Sequence, residues 1–464
     1  MKKQATLVLA LAFGCVMAVA QGISPQLLKQ LQDANKLTAQ DRMVRNALAS
    51  GSVNSLIANQ DHMDEQEVYF NYSVPNKGIT NQRSSGRCWL FSGLNVLRSK
   101  VINEQGLEGL EFSQVYGFFY DQLEKANLFL QGIIDTSDKP IDDQTVRFLF
   151  KAPVSDGGTF CGVIDIVGKY GVVPAGVMHE TYSSNNTSQF NVYVKRKLRE
   201  MGIQLREKAA AGASKKELIK AKEEMLSTVY HMLTLGYGVP PTEFMWAPKD
   251  SKGKYISEPK KYTPQSFYKE WIGEDLAGDY IMLMNDPTRE YWKTYEIEYD
   301  RHSYDGHNWY YLNLPMDEIK ACAIASIKDN RMFYMSCDVN KELDRSRGFL
   351  DLNNYDSEAL FGTPFGMDKR QRILTLDSGS THAMTMKAVH VDEATGKPVR
   401  WEVENSWGST SGYKGHLIMS DKWLDEYLFR IVVKKQYCSD KILKAYKQKP
   451  TMLPAWDPMF QMDE

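Results

Sequence analysis

Cys88 stands where a polar turn, Ser84-Ser85-Gly86-Arg87, gives way to a run whose apolar residues Leu90, Phe91, Leu94, Leu97 and Val101 keep the i, i+3, i+4 spacing of a helix. A thiol at a helix N-terminus meets the partial positive charge of the unpaired N–H groups, which favours thiolate over thiol, and Arg87 adds a cation next door. These are the makings of a nucleophile. Gln82, a little upstream, offers a side-chain amide that, with the backbone N–H of Cys88, could hold the oxygen of an attacked carbonyl. Taken alone, Cys88 fits equally an inert thiol on a core helix.

A thiol nucleophile needs a base to take its proton and a group to orient that base. Thr381 to Val391 reads as a strand, Asp392 to Pro398 as a turn, and Val399 to Asn405 as a second strand alternating apolar and charged residues. In that hairpin His382 and Asn405 lie nearly equidistant from the turn and face each other, allowing for an offset or bulge of a residue or two. At a period of two, Trp401, Val403 and Asn405 share one face, so the amide meets the imidazole, and the Trp407 ring is placed to cover their hydrogen bond.

The order Cys, His, Asn, with Gln82 ahead of the cysteine and Asn405-Ser406-Trp407-Gly408 around the amide, resembles the papain superfamily, and within it the bleomycin hydrolase family of cysteine aminopeptidases. Asp156-Gly157-Gly158, Cys337-Asp338-Val339, Phe361-Gly362, Thr381-His382-Ala383-Met384 and the segment Pro454 to Met459 also look like signatures of that family. Ser85 stands where secreted papain-type enzymes usually carry a cysteine, which favours the bleomycin hydrolase branch. The resemblance implies Cys88 as nucleophile, His382 as base, Asn405 as the orienting amide and Gln82 as oxyanion donor. It also implies Gly157 and Gly158 beside the substrate backbone, Trp407 at the site, and a chain end, Glu464, in the cleft. The expected activity is removal of N-terminal residues from peptides through a thioester at Cys88. The alternatives are an endopeptidase or an amide or thiolactone hydrolase without N-terminal selectivity, and a non-catalytic assembly that keeps the fold.

Cys88 and His382 lie roughly 290 residues apart, about twice the ~130–150 usual in papain-like enzymes, so the chain carries a large insertion. Val194, Leu198 and Met201 begin one amphipathic stripe, and a capping box, Ser214 with Glu217, opens a second helix that ends near Gly236 and Pro240-Pro241. Such helices either thicken one domain or, as in the resembling family, help assemble a homo-oligomer, there a hexamer. Residues 245–300 show no clear period. From Trp309 the chain turns strand-rich around a helix at Met316 to Lys328, and Met332 to Cys337 reads as the central strand. The expected class is α+β, a papain-like two-lobe fold with a helical lobe, an antiparallel sheet lobe and a large helical insertion. Its expected parts are a signal peptide (1–20), an N-terminal arm (21–70), a helical lobe with the nucleophile (71–190), the insertion (191–300), a sheet lobe with His382 and Asn405 (301–435), and a C-terminal helix and arm (436–464).

Composition narrows the partners. Lys+Arg 56 against Asp+Glu 58 gives a nearly neutral chain with no basic field for nucleic acid. No metal-ligand spacing is present, so neither metal nor other cofactor is expected. Five cysteines remain after Cys15 in the leader, and Cys161, Cys322, Cys337 and Cys438 sit in apolar surroundings, so buried thiols are expected rather than a disulfide framework. The leader itself has a basic start, Lys2-Lys3, an apolar run from Leu7 to Ala20 too short to span a bilayer, and a small-residue cleavage pattern, Ala18-Val19-Ala20. It predicts export to the periplasm or beyond. The expected partners are peptides with a free N-terminus. Phe460 to Glu464 departs from the family's small-residue ending and brings two acidic side chains.

Overall fold

The computed structural model describes residues 22–63, 67–107, 109–250 and 252–459. The leader (1–20) and the tail Phe460 to Glu464 lie outside the described residues. The chain divides into two units, a small one made of residues up to Gln60 with Tyr355–Phe365, and a main one made of Asp61–Asn354 with residues from Gly366 onward.

The small unit holds the helices Pro25–Ala34, Ala39–Ser50 and Val53–Ile57, capped by Ser24, by a Thr38/Asp41 box and by Ser52. Tyr355 bridges to Ala58, and the Asp356 N–H donates to the Ile57 carbonyl at 2.7 Å. Ile57 is the one buried apolar side chain of those three helices, and Leu27, Leu28, Leu31 and Met43 stand exposed.

In the main unit a helical lobe faces a large, mainly antiparallel sheet. The lobe is built on the nucleophile helix Cys88–Gln105, the long helix Gln114–Asp135 and the helix Phe160–Tyr170. Leu90, Phe91, Leu94, Leu97 and Val101, the apolar positions of the sequence pattern, are all buried. The nucleophile helix crosses Phe160–Tyr170 at Gly93, where a Cβ would come within 2.4 Å of the Val163 side chain. Only glycine lets the two backbones approach that closely. The insertion helices run Thr187–Ala210 and Lys215–Tyr237, the second with the Ser214/Glu217 box expected from sequence. Their Val194, Leu198, Val229 and Leu233 join the helical lobe's own core, so they thicken that lobe. Residues from Phe244 to Trp271, which show no period, close a cluster of edge-to-face aromatics, Phe244, Trp246, Tyr262, Phe267 and Trp271, against the same core.

The sheet begins before residue 301, where sequence reading starts it. Tyr280–Met284 and Lys293–Ile297 are already strands, and Tyr280–Met284 lies next to Leu428–Lys434. A five-residue apolar run buried on both faces carries no alternation by which sequence could separate it from helix. Phe333–Cys337 is the central strand as expected, paired with Leu428–Lys434 on one side and His382–Val391 on the other. The helix Met316–Lys328 has the expected bounds. Alternation along the strands feeds two cores. Ile281, Leu283, Phe333, Met335 and Met384 fill one, while Tyr280, Met282, Met284, Tyr334 and Ala383 turn to the helical lobe. Among the described residues no two cysteines are joined in a disulfide, Cys161, Cys322 and Cys337 are buried and Cys438 is half-buried, and no helix is long and apolar enough to cross a membrane.

Candidate active site

Cys88 opens its helix with Arg87 in the N-cap position and no side-chain cap. The cap's place is taken from outside. Asp156 accepts from the Gly86 N–H at 2.7 Å and from the Thr187 hydroxyl, while its carbonyl accepts from the Trp89 indole at 2.9 Å. A carboxylate and a backbone oxygen from one residue thus clamp both sides of the nucleophile. Arg87 does not serve as the neighbouring cation that sequence suggests. It is fully buried, 2.8 Å from Glu180, bonded to Ser85 Oγ and stacked over Phe91 and Phe118, so its charge is neutralised on the far side of the turn.

His382 begins the strand His382–Val391, which pairs with Pro398–Glu404 through two irregularities of register. Those shifts leave Asn405 just past the end of its strand, where His382 Nε2 meets Asn405 Oδ1 at 2.9 Å. The Ser406 N–H donates to the same amide atom at 2.8 Å, which identifies it as the oxygen. The imidazole therefore donates from Nε2, and in its neutral form Nδ1 is the acceptor. Both side chains are buried, and the Trp407 ring lies on the imidazole at a centroid distance of 4.9 Å. Burial pushes the imidazole down to about 4, against the opposing hydrogen bond that it donates to Asn405. Trp407 covers the pair rather than lining the cavity beside it, and the Arg345 guanidinium lies 4.7 Å from its ring centroid.

Gln82 is tied to the same segment. Its N–H donates to the Ser406 carbonyl at 2.8 Å, and its Oε1 accepts from Ser406 Oγ at 2.6 Å. Asn81 bridges to Trp407, and the Gly408 N–H donates to the Thr80 carbonyl. With the oxygen end of its amide held by Ser406, Gln82 turns its nitrogen to the turn before Cys88, donating one hydrogen to the Ser85 carbonyl at 2.6 Å. Its second hydrogen remains for a ligand. Ser406 was visible in sequence only as a letter of a motif, and its bonding to both Gln82 and Asn405 comes from the fold.

Cys88 and His382 line one cavity with Gly157, Gly158, Tyr334, Ser336, Asp300 and Arg430. The glycine pair belongs there for two reasons. Gly157 carries a carbonyl fixed by Lys125 at 2.6 Å, and a Cβ on Gly158 would overlap the His302 ring at 2.1 Å. His302 is a residue that sequence did not single out. Its Nδ1 meets Asp121 at 2.5 Å, and Nε2 accepts from the Thr159 N–H at 3.2 Å, so the ring is neutral and donates to the carboxylate. Burial and then the Lys125 charge push it down. Burial works to raise Asp121, but Lys125 and His302 prevail and hold it below its ordinary range. The last described residue reaches this wall. Met459 is buried, and its carbonyl accepts from Arg430.

A model of the Peptidase C1-like family matches residues 22–460. The chain is 37% identical to aminopeptidase C of Streptococcus thermophilus across 90% of its own length and 93% of that protein. It is 38% identical to bleomycin hydrolase of Homo sapiens across 85% and 89%. It superposes on the crystal structure of PepW from Lactobacillus rhamnosis with a TM-score of 0.90 at 34% identity, covering 95% of this chain and 99% of that one.

Proposed function

The chain belongs to the Peptidase C1-like family of papain-like cysteine peptidases, and we propose that it is an aminopeptidase whose nucleophile is Cys88. His382 takes the thiol proton at Nδ1 while Asn405 holds Nε2–H, so the ring keeps its orientation as it becomes imidazolium. The thiolate adds to the carbonyl after the substrate's first residue. The oxygen that becomes negative is met by the Cys88 N–H and the spare hydrogen of Gln82. Collapse expels the downstream amine, protonated by His382, and leaves a thioester that water hydrolyses with His382 as base.

The observation that supports exopeptidase rather than endopeptidase action is the bond from Arg430 to the Met459 carbonyl, because it holds the last described residue at the wall of the cavity that Cys88 and His382 line. A tail lying there would leave room for a single residue ahead of the scissile bond. Names of the relatives agree, since aminopeptidase C is among them. Matched peptides with free and acetylated N-termini test this. The free form should win in kcat/KM for the intact protein, and deletion of Phe460 to Glu464 should admit the acetylated form. Equal handling by the intact protein would favour the endopeptidase or amide hydrolase reading.

Two wider assignments belong with it. The leader pattern supports export to the periplasm or beyond, checked by sequencing the mature N-terminus. Exposed Leu27, Leu28, Leu31 and Met43 on the N-terminal helices, with Tyr230 and Leu235 on the insertion, support assembly of a homo-oligomer, because such side chains gain by leaving water. Sedimentation velocity reads that directly.

A further inference from the structure

Building on the export reading, we infer that Cys322 and Cys438 are a thiol pair that closes to a disulfide in an oxidising compartment. Cys322 lies within the helix Met316–Lys328 and is 2% exposed. Cys438 follows the short 3-10 helix Lys435–Tyr437 and is half-buried against the same core. The two side chains are hydrogen-bonded to each other.

A register of contacts, rather than that bond alone, sets them opposite one another. Glu318, Cys322 and Asp329 stand at i, i+4 and i+11, spacings that keep side chains on one face of a helix. The chain that follows the strand Leu428–Lys434 runs back along that face. The Tyr437 hydroxyl and the Gln436 amide donate to Asp329 Oδ2 at 2.7 and 3.4 Å, just past the helix end, while Lys441 lies 3.9 Å from Glu318 in its first turn. Cys438 falls between those two anchors as Cys322 falls between their partners. The other buried cysteines are placed differently. Cys161 turns its thiol to the Asn308 carbonyl and the Met282 sulfur, and Cys337 sits within the central strand.

A small-molecule or protein disulfide is the oxidant. The Cys438 thiolate attacks one sulfur of that disulfide and expels the other as a thiolate. Cys322, as thiolate, then attacks the mixed disulfide at Cys438 Sγ and expels the second. One Sγ–Sγ bond forms, the oxidant's S–S bond breaks, and the two electrons and two protons leave with the oxidant as a pair of thiols. The bond to Cys322 and burial push the Cys438 thiol up, so thiolate is scarce and exchange is slow at neutral pH. The closed loop spans roughly 115 residues and contains His382 and Asn405, and long loops gain most from such a link. The bond would also pin the start of the segment that ends with Met459 on Arg430.

The full chain, purified under reduction, should be held folded with excess glutathione disulfide at mildly alkaline pH, then unfolded, alkylated with iodoacetamide and mapped by mass. The expected product joins the Cys322 and Cys438 peptides, two hydrogens lighter than the separate thiols and released by a phosphine, while Cys161 and Cys337 are alkylated. The oxidised protein should melt several degrees above the reduced one, and Cys438→Ser should abolish that gain. Alkylation of both thiols after prolonged incubation overturns the inference. So does a glutathione adduct on Cys438 that Cys322 never displaces, or a melting gain that survives in Cys438→Ser. The export reading is tested separately, on protein made with its leader. A processed, exported chain with both thiols free sinks the pair and leaves export standing, whereas an unprocessed chain sinks export and the glutathione result still decides the pair.

Discussion

At the scale of single residues, the site rests on which atom of each side chain is already committed. His382 gives Nε2–H to Asn405, so activity needs Nδ1 unprotonated. With the imidazole at about 4, kcat/KM should show its acid limb near that pH, because below it the ring cannot accept the thiol proton. The Asn405 bond opposes the burial that depresses His382, so Asn405→Ala should move the limb to lower pH while lowering the plateau. A limb moving upward would contradict the assigned roles. Ser406 is the second lever. Ser406→Ala releases the Gln82 amide and should lower kcat with little change in KM, whereas Gln82→Ala should cost roughly 10²–10³ in kcat. In the double variant the Ser406 change should add almost nothing, which single-turnover rates can measure. Cys88, Gln82, His382 and Asn405 could be singled out because thiol chemistry needs those types at a helix start and in one hairpin, and the fold brings them together. Asp300, Asp121 and His302 were not. No local pattern marks side chains whose partners are brought near only by packing.

At the scale of elements, the nucleophile helix and the strand that ends before Asn405 are joined by a buried ion pair. Arg98 lies 2.6 Å from Glu404, both nearly inaccessible, and Asn76 donates to the second carboxylate oxygen. Arg98→Met should destabilise by about 3–5 kcal/mol, since it strands a buried carboxylate. Burial raises Glu404 against the pull of Arg98, and losing Arg98 would raise it further. A carboxyl raised in the folded state binds its proton more tightly there than in the unfolded chain, so acidification favours folding through this group. The Tm deficit of Arg98→Met should therefore shrink as pH falls into the carboxylate range, as calorimetry would show. Elements with strong local signals, the helix Met316–Lys328, the capped insertion helix and the His382 hairpin, could be read from the chain. Tyr280–Met284 could not, being apolar at every position, and Arg87 was misjudged because its partner Glu180 is distant in sequence and brought near only by packing.

At the scale of the whole molecule, the last described residues run back across the main unit. Thr451–Leu453 pairs in parallel with Lys293–Ile297, Asp457 binds Arg289 and accepts from the Met459 N–H at 3.0 Å, and Met459 reaches Arg430. Selection for a free N-terminus should therefore depend on anchors away from the reacting atoms. Asp457→Ala should relax it in the same direction as deleting Phe460 to Glu464, raising kcat/KM for acetylated peptides while Cys88 labelling persists. An unaltered preference would separate the anchor from selectivity. Pro454 to Met459 was legible as a segment, but its placement depends on strands that sequence assigned elsewhere.

The sheet's strand order also sets a timetable. Leu428–Lys434 lies between Tyr280–Met284 and Phe333–Cys337, so those two halves stay unjoined until nearly the whole chain has been made. Cys88 is synthesised early and waits. Because such distant pairings form only when both partners exist, a ribosome-bound chain carries the thiol without its base in place. Hydrolytic competence arrives with the final segments, and the same segments bring the bonds that tie Asp457 to Arg289 and Met459 to Arg430.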